Sequence, residues 1–541
     1  MFEILHIQYW VRQSRMVMDM NQTLESELER AWASTCRILL GEEIGSLKKY
    51  DSWLSEYLPK PSRKKSHISG KDVMLASDRY HANARFVSAD EVEMNKKYAL
   101  GINEIKDIDS IVQVLGEKFE YTGNRHLGNC SFVENSDTVM DSNYVCNSTD
   151  VQNSDHIYSS FMIRRMSRNA FGSGYLGEGE FLVRVVGTFN TKRALECYFV
   201  PDCSDMYFSH QCFGSHKLMF CFGQRNSSYK IGNLQLEKTK FLELKKKLIG
   251  EIAEALKKDG KFPSLMELVP SGEVKVPKIN VKRGSETHDM APIEKGFASA
   301  FKVIFGKEPS GSMLDYEKWL ERNIVPMNEA TTPFGTKTNY PRTFGAFPKY
   351  PKGRIVKYDE IMALGSLHLE DGDVQSVKSI ASAIGKIAFF SAELYDGKNL
   401  NYIDSPLIYH GINAYKTYDL TYGENSGVCF QPLNSKYTYG CRRILESQFA
   451  IKCYNSAYLN RCFELDCCNK CSDSYFCHNS EGLQDCMFCF NAKALRYAIG
   501  NVEVGKENYL KIKKLVLNEI VRRLESSKSL DYDIYNIGGR K

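Results

Sequence analysis

Aliphatic positions recur every six residues through the first half of the chain. Val133, Val139, Val145, Val151, Ile157 and Ile163 form one series, and Ser136, Ser142, Ser148, Ser154 and Ser160 lie midway between them. Every third residue is thus β-branched or small, and Asn, Asp, Ser and Thr fill most places between. The frame slips by one residue near Arg164 and resumes through Leu182, Val185, Thr188, Thr191, Ala194, Cys197 and Val200 to Cys221. The same frame runs from Ile408 through Ala414, Leu420, Cys429, Cys441, Ile444 and Ala450 to Cys477. A period of three fits neither an isolated strand nor an α-helix. It predicts short extended segments, each followed by a bend, wound into a parallel β-solenoid with small side chains inside. A bundle of polyproline-II strands shares the period but needs glycine at its crowded positions, and glycine is scarce here. Residues 18 apart also match (Cys453/Cys471/Cys489, Cys468/Cys486, Leu465/Leu483), which predicts three sides and about 18 residues per coil.

The chain also matches itself at an offset of 268. Cys203-Ser204-Asp205 returns as Cys471-Ser472-Asp473, Met219-Phe220-Cys221-Phe222 as Met487-Phe488-Cys489-Phe490, and Ile231-Gly232-Asn233 as Ile499-Gly500-Asn501. Residues 203–252 and 471–520 share 21 identities in 50 positions. The fold class expected is therefore α+β, in two tandem units. Each holds a helical head (Trp32, Ile38 and Leu39 at helical spacing), a parallel β-helix and a closing amphipathic helix. In the closing helices Leu242, Leu248, Ile249 and Ile252, then Leu510, Leu517, Ile520 and Leu524, form a stripe opposite lysines. The divisions read from the sequence are an N-terminal arm (1–26), head and loop section (27–130), solenoid and closing helix (131–265), and a linker (266–292). A second head and loop section (293–400) and a second solenoid with closing helix (401–541) follow.

With 541 residues, 43% hydrophobic and 25% charged, the composition is that of a folded chain, which excludes collagen, wholesale disorder and a coiled-coil rod. Seventy-one basic against 66 acidic residues gives a formal charge of +5, too weak to call for nucleic acid. No apolar run is long enough to span a membrane, and Met1–Met20 carries Glu3, Arg12 and Arg15 instead of a signal-peptide layout, so a cytoplasmic location is expected.

Seventeen cysteines stand out. Nine of the ten between Cys429 and Cys489 fall in the period-three frame, Cys467 being outside it. Cys453, Cys468, Cys471, Cys486 and Cys489, with His478 nearby, have the residue types of a zinc or iron–sulfur site. The frame itself imposes their spacing, however, and Ser, Ala and Leu take equivalent places, so buried packing is the plainer reading and no cofactor is expected. On an 18-residue coil Cys453, Cys471 and Cys489 would stack about 4.8 Å apart. Asp205/His210 and Asp473/His478 recur at equal spacing, which suggests a paired polar site with each imidazole oriented by its carboxylate. Tyr207, Phe208, Phe220, Tyr475, Phe476 and Phe488 are expected under the closing helices. Arg63-Lys64-Lys65, Lys245-Lys246-Lys247 and Lys513-Lys514 read as solvated faces. No P-loop, dinucleotide fingerprint, metalloprotease motif or nucleophile elbow is present.

On its Cys-x-x-Cys and Ser-Asp-x-Tyr-Phe-Cys-His strings, chiefly Cys453 to Asn501, the chain resembles uncharacterised cysteine-rich repeat proteins of microbial and phage genomes. That resemblance implies a solenoid and no activity. The six-residue period also partly resembles that of hexapeptide acyltransferases, whose small residue follows the aliphatic one by four; here Ser follows Val by three. The function expected is a structural or protein-binding scaffold with a protein partner or self-association, no nucleic acid and no membrane. A metal-binding or redox role for the Cys453–Cys489 cluster is the alternative, and a non-enzymatic role is favoured.

Overall fold

The computed structural model describes residues 23–59, 62–98, 105, 107–270, 274–281, 288–343 and 345–539. The arm expected at 1–26 lies outside them as far as residue 22.

Two long parallel sheets dominate, one of 17 strands from His126 to Gln235 and one of 16 from Leu394 to Glu503. In each, most strands are four residues long and pair in parallel with the strand after next. Val133 faces Val145, Val139 faces Val151, and Val145 faces Ile157. Ala414 likewise faces Ser426, and Thr438 faces Ala450. The chain therefore winds with two strands and twelve residues per turn, which corrects the expected three sides and 18 residues. Inward placement of every third side chain holds whichever number of sides the coil has.

The backbone explains the period. Phe132, Asn135, Thr138, Asp141 and Tyr144 sit at φ of 53°, 47°, 59°, 46° and 54°, so two extended residues alternate with one left-handed residue. That third residue turns the pleat, and the inward face is revisited every three positions instead of every two. Left-handed backbone is tolerated best by Asn and Asp, which explains their density in the repeat. The slip near Arg164 is an inserted residue: Arg165 and Met166 are both left-handed, Met166 is 71% exposed, and the register steps to thirteen, Asp155 facing Arg168.

Among the described residues, four helices of fifteen residues or more lie on the coils. Helix α1 (Leu24–Leu40) is capped by Thr23 and Ser26 and sets Trp32 against Phe171, centroids 5.2 Å apart. Helix α2 (Lys238–Asp259) packs Phe241 on Tyr229. Helix α3 (Ala291–Phe305) lays Phe297 on Tyr439, and helix α4 (Lys506–Ser527) lays Tyr509 on Tyr497. The expected stripes are shifted: Leu242 (47%), Leu510 (46%) and Ile38 (40%) are exposed, and Phe241 and Tyr509 take the inward places. Phe208 stacks on Phe220 and Phe476 on Phe488, all four buried. Lys245 and Lys513 lie over the rings of Tyr207 and Tyr475 at 4.9 and 5.1 Å, so these two lysines shield aromatic surface.

The sheets run side by side in opposite senses: Arg443 pairs with Asp150, Tyr175 bonds Asp419, and Asp202 lies near Tyr409. The sections between helix and coil cross over. The described residues between 62 and 123 pack on the far end of the second sheet, where Phe119 stacks on Phe490 with centroids 4.1 Å apart. Residues 347–393 pack on the first, where Phe390 meets Phe222 and Phe347 meets Phe199.

Candidate functional site

The interior cysteines belong to a hydrogen-bond ladder. At each bend an amide N–H points into the coil and needs an acceptor. Ser136 Oγ donates to the Glu134 carbonyl (2.7 Å) and accepts from Ser148 N–H (3.0 Å), one turn on; Ser148 does the same for Ser160. Cys429 Sγ donates to the Gly427 carbonyl (3.3 Å) and accepts from Cys441 N–H (3.4 Å), and Cys441 accepts from Cys453 N–H. The thiol stands where the hydroxyl stands.

Cys468, Cys471, Cys486 and Cys489 each donate to the carbonyl two residues back, and all four are buried with Cys453. The column neighbours of Cys453 are Cys441 and Leu465, so the expected stack with Cys471 and Cys489 does not form. All seventeen cysteines are free thiols. Burial pushes the Cys453, Cys468 and Cys489 thiols up, which disfavours the thiolate a metal requires, whereas the hydrogen bond with Cys468 draws the Cys471 thiol down. Cys441→Ser should therefore change stability by less than about 1 kcal/mol, whereas Cys441→Val, which orphans Cys453 N–H, should cost about 1–3 kcal/mol. Urea unfolding of the two variants checks the order.

The repeated Asp and His residues are not partners. Asp205 lies on strand Ser204–Tyr207 and His210 on the next, which faces the other side of the coil. Asp205 forms a two-bond pair with Arg193 (2.8 and 2.9 Å), as Asp473 does with Arg461 (2.9 and 2.6 Å). The carboxylate that orients His478 is Asp466, one turn back. Its Oδ2 accepts from Nδ1 at 3.0 Å, a tautomer assigned from the network because Nε2 accepts Thr122 N–H at 3.1 Å. Asp466 Oδ1 takes the Tyr535 hydroxyl and Asn455 Nδ2. Burial alone would raise the Asp466 carboxyl, but the hydrogen bond from His478, helped by the Arg125 charge and the Asn455 hydrogen bond, holds it at about 2.

Asp466, Cys467 and His478 are, among the described residues, the one group of three His, Cys, Asp or Glu donors whose ligand atoms lie within 4.8 Å of one another. Of the residues singled out from the sequence, only His478 belongs to it. Both imidazole nitrogens and both carboxylate oxygens are already engaged, so the arrangement is a closed hydrogen-bond network. His210 Nε2 accepts Ser391 N–H at 2.9 Å, and its other nitrogen has no partner.

Burial takes the His210 pKa down to about 3. The unfolded chain then takes up that proton first, so stability present at neutral pH is lost as pH falls from 6.5 toward 3. At pH 4 the loss amounts to about 3 kcal/mol. His210→Gln puts an oxygen where Nε2 accepts but does not titrate, and should shrink the gap between urea midpoints at pH 7 and pH 4. An unchanged gap would mean that His210 is not the group responsible.

A cleft of about 450 Å³ lies beside the first turn of the first sheet, lined by Lys71, Met74, Asp90, His126, Val133 and Ser136 among others. Lys71 is held by Asp90 at 2.5 Å, and strand Ser131–Glu134, on the cleft, takes its register from Asn143–Cys146. Charges paired with each other and a strand at the start of the coil suit main-chain hydrogen bonding better than proton transfer.

The chain matches no protein-family model, no curated protein and no solved structure. In the sequence, Asp466, Arg125 and Tyr535 carry no mark of this network beyond the spacing of twelve between Asp466 and His478.

Proposed function

We propose that this chain is an internally duplicated structural or protein-binding scaffold built on two β-solenoids, without enzymatic activity and resident in the cytoplasm. The observation that carries the reading is the commitment of its reactive side chains. The interior thiols serve as rungs of the bend ladder, and both nitrogens of His478 are held by Asp466 and Thr122. Duplication is supported by contacts that recur at an offset of 268: Arg193–Asp205 with Arg461–Asp473, and Arg184–Glu196 with Lys452–Glu464. Seventeen free thiols accord with a reducing compartment. Among the described residues no helix is long and apolar enough to cross a membrane. A protein partner or a second copy would meet the coil edges and the cleft beside Ser131–Glu134; nucleic acid is not expected.

Elemental analysis of the purified chain, with its absorption spectrum, tests the reading. The scaffold predicts metal well below one equivalent and no charge-transfer bands. Stoichiometric zinc or iron would replace it with the metal-binding or redox alternative at Cys453, Cys468, Cys471, Cys486, Cys489 and His478. Light scattering on a sizing column then reports self-association.

A further inference from the structure

Each coil ends in Ile-Gly-Asn, and in each case the asparagine does two jobs. Asn233 Oδ1 accepts Phe222 N–H (2.9 Å) and its Nδ2 donates to the Phe222 carbonyl (3.1 Å), so the side chain replaces the missing next turn. The same Nδ2 donates to the carbonyl of Leu367, in the section that crosses over from the other half (2.9 Å). Asn501 repeats the set with Phe490 (3.0 and 2.7 Å) and with Lys96 of the first half (2.9 Å).

Beside each asparagine the glycine carbonyl accepts an amide from the opposite half, Leu369 N–H on Gly232 and Tyr98 N–H on Gly500. Two turns back a buried histidine accepts another, Ser391 N–H on His210 and Thr122 N–H on His478. Each exit thus presents a glycine carbonyl, an asparagine amide and an imidazole nitrogen to two segments of the other half, Leu367–Leu369 and Ser391 at the first exit, Lys96–Tyr98 and Thr122 at the second. A Cβ on Gly232 would stand 2.5 Å from Leu369 Cδ1 and 2.7 Å from its Cγ, so a side chain there would have to displace Leu369.

From this reciprocity we infer that the two Ile-Gly-Asn exits form a self-sufficient protein–protein interface. The first half (23–270) and the second half (288–539) recognise each other without the connecting residues. The partner each exit fits is a chain that carries the other half's crossing section, whether in the same polypeptide or on a separate one. The joint is made of directional main-chain bonds to buried acceptors backed by stacked rings, a combination that holds without a covalent tie. The inference does not depend on the scaffold reading: a metal found in the chain would leave the joint as described.

The test is made on the folded full-length protein with a protease site inserted after Asn280, an exposed position of the connection. After cleavage under native conditions the fragments should elute together with the mass and elution volume of the uncut chain at micromolar concentration. Fragments that separate would overturn the inference. Asn233→Ala and Asn501→Ala, introduced singly and cleaved after folding, should each weaken the association at least tenfold. An unchanged dissociation constant in both would show that the exits are not the joint.

Discussion

Asn501→Ala is expected to lower the unfolding free energy by about 3–4 kcal/mol, and Asn233→Ala by a similar amount. Asn501 is 1% exposed and makes three hydrogen bonds to main-chain groups, the two to Phe490 fully buried and the one to Lys96 partly so. Alanine orphans the Phe490 N–H and removes a donor from two carbonyls. Each orphaned buried group costs about 1–3 kcal/mol, tempered by the second lone pair that a carbonyl can use elsewhere. Asn501→Asp should be worse than alanine, because it keeps the acceptor but turns a carboxylate toward the carbonyls of Phe490 and Lys96. The two exits share no partners, so the double variant should lose nearly the sum of the single effects. That sum rivals the whole stability of an ordinary domain, so the double variant should be largely unfolded at 25 °C. Urea midpoints of the single variants measure the effect, and a loss under about 1 kcal/mol in both would mean that the asparagines merely fill space.

The coil was legible in the sequence, and its width was not. The valine and serine series, the slip near Arg164 and the Asn-rich bends all follow from one left-handed residue in three. How many bends close a turn leaves no trace in that series. It shows in what the outward residues meet, and those pairs fall at a spacing of twelve. Asn401 Nδ2 donates to Asn413, and Asn413 to Asn425; Phe132, Tyr144 and His156 stack in a column. Arg193–Asp205 and Arg461–Asp473 are opposite charges at the same interval. The similarity at 18 among Cys453, Cys471 and Cys489 arises because small inward residues are interchangeable every third position. The candidate site suffered for the same reason. His478 stands out by its repetition, but its carboxylate, Asp466, sits one turn back and not five residues away at Asp473. The crossing of 62–123 and 347–393 left only Ile-Gly-Asn as a mark, and nothing local reveals that this tripeptide meets the opposite half.

The two halves also place a buried basic–acidic pair at matching positions, and the two pairs should respond unequally to mutation. Arg184, fully buried, bonds Glu196 (2.6 Å), Glu56 (2.9 Å) and the Trp53 carbonyl, with its guanidinium over the rings of Trp53 and Tyr57. Arg184→Met leaves Glu196 buried against Tyr198 and Leu265 N–H without its cation, and should cost about 3–5 kcal/mol. Lys452 donates to the Trp319 carbonyl at 3.0 Å, but stands 3.9 Å from Glu464. Burial raises the Glu464 carboxyl to about 8, against the pull of Lys452, so near neutral pH that carboxyl is largely protonated. Removing the lysine then strands no charge, and Lys452→Met should cost under about 2 kcal/mol at pH 6. A raised carboxyl pKa means that the folded chain holds the proton the unfolded chain has released. The stability it lends is full below about pH 4.5 and lost as pH rises through 8. With Lys452 gone, only the Ile534 N–H and the more weakly acting Arg322 offset ionisation of Glu464, so the variant's deficit should widen between pH 6 and pH 9. Guanidinium unfolding of both variants at the two pH values decides the matter: equal losses at pH 6 would mean that Glu464 is ionised there and that the two pairs are equivalent.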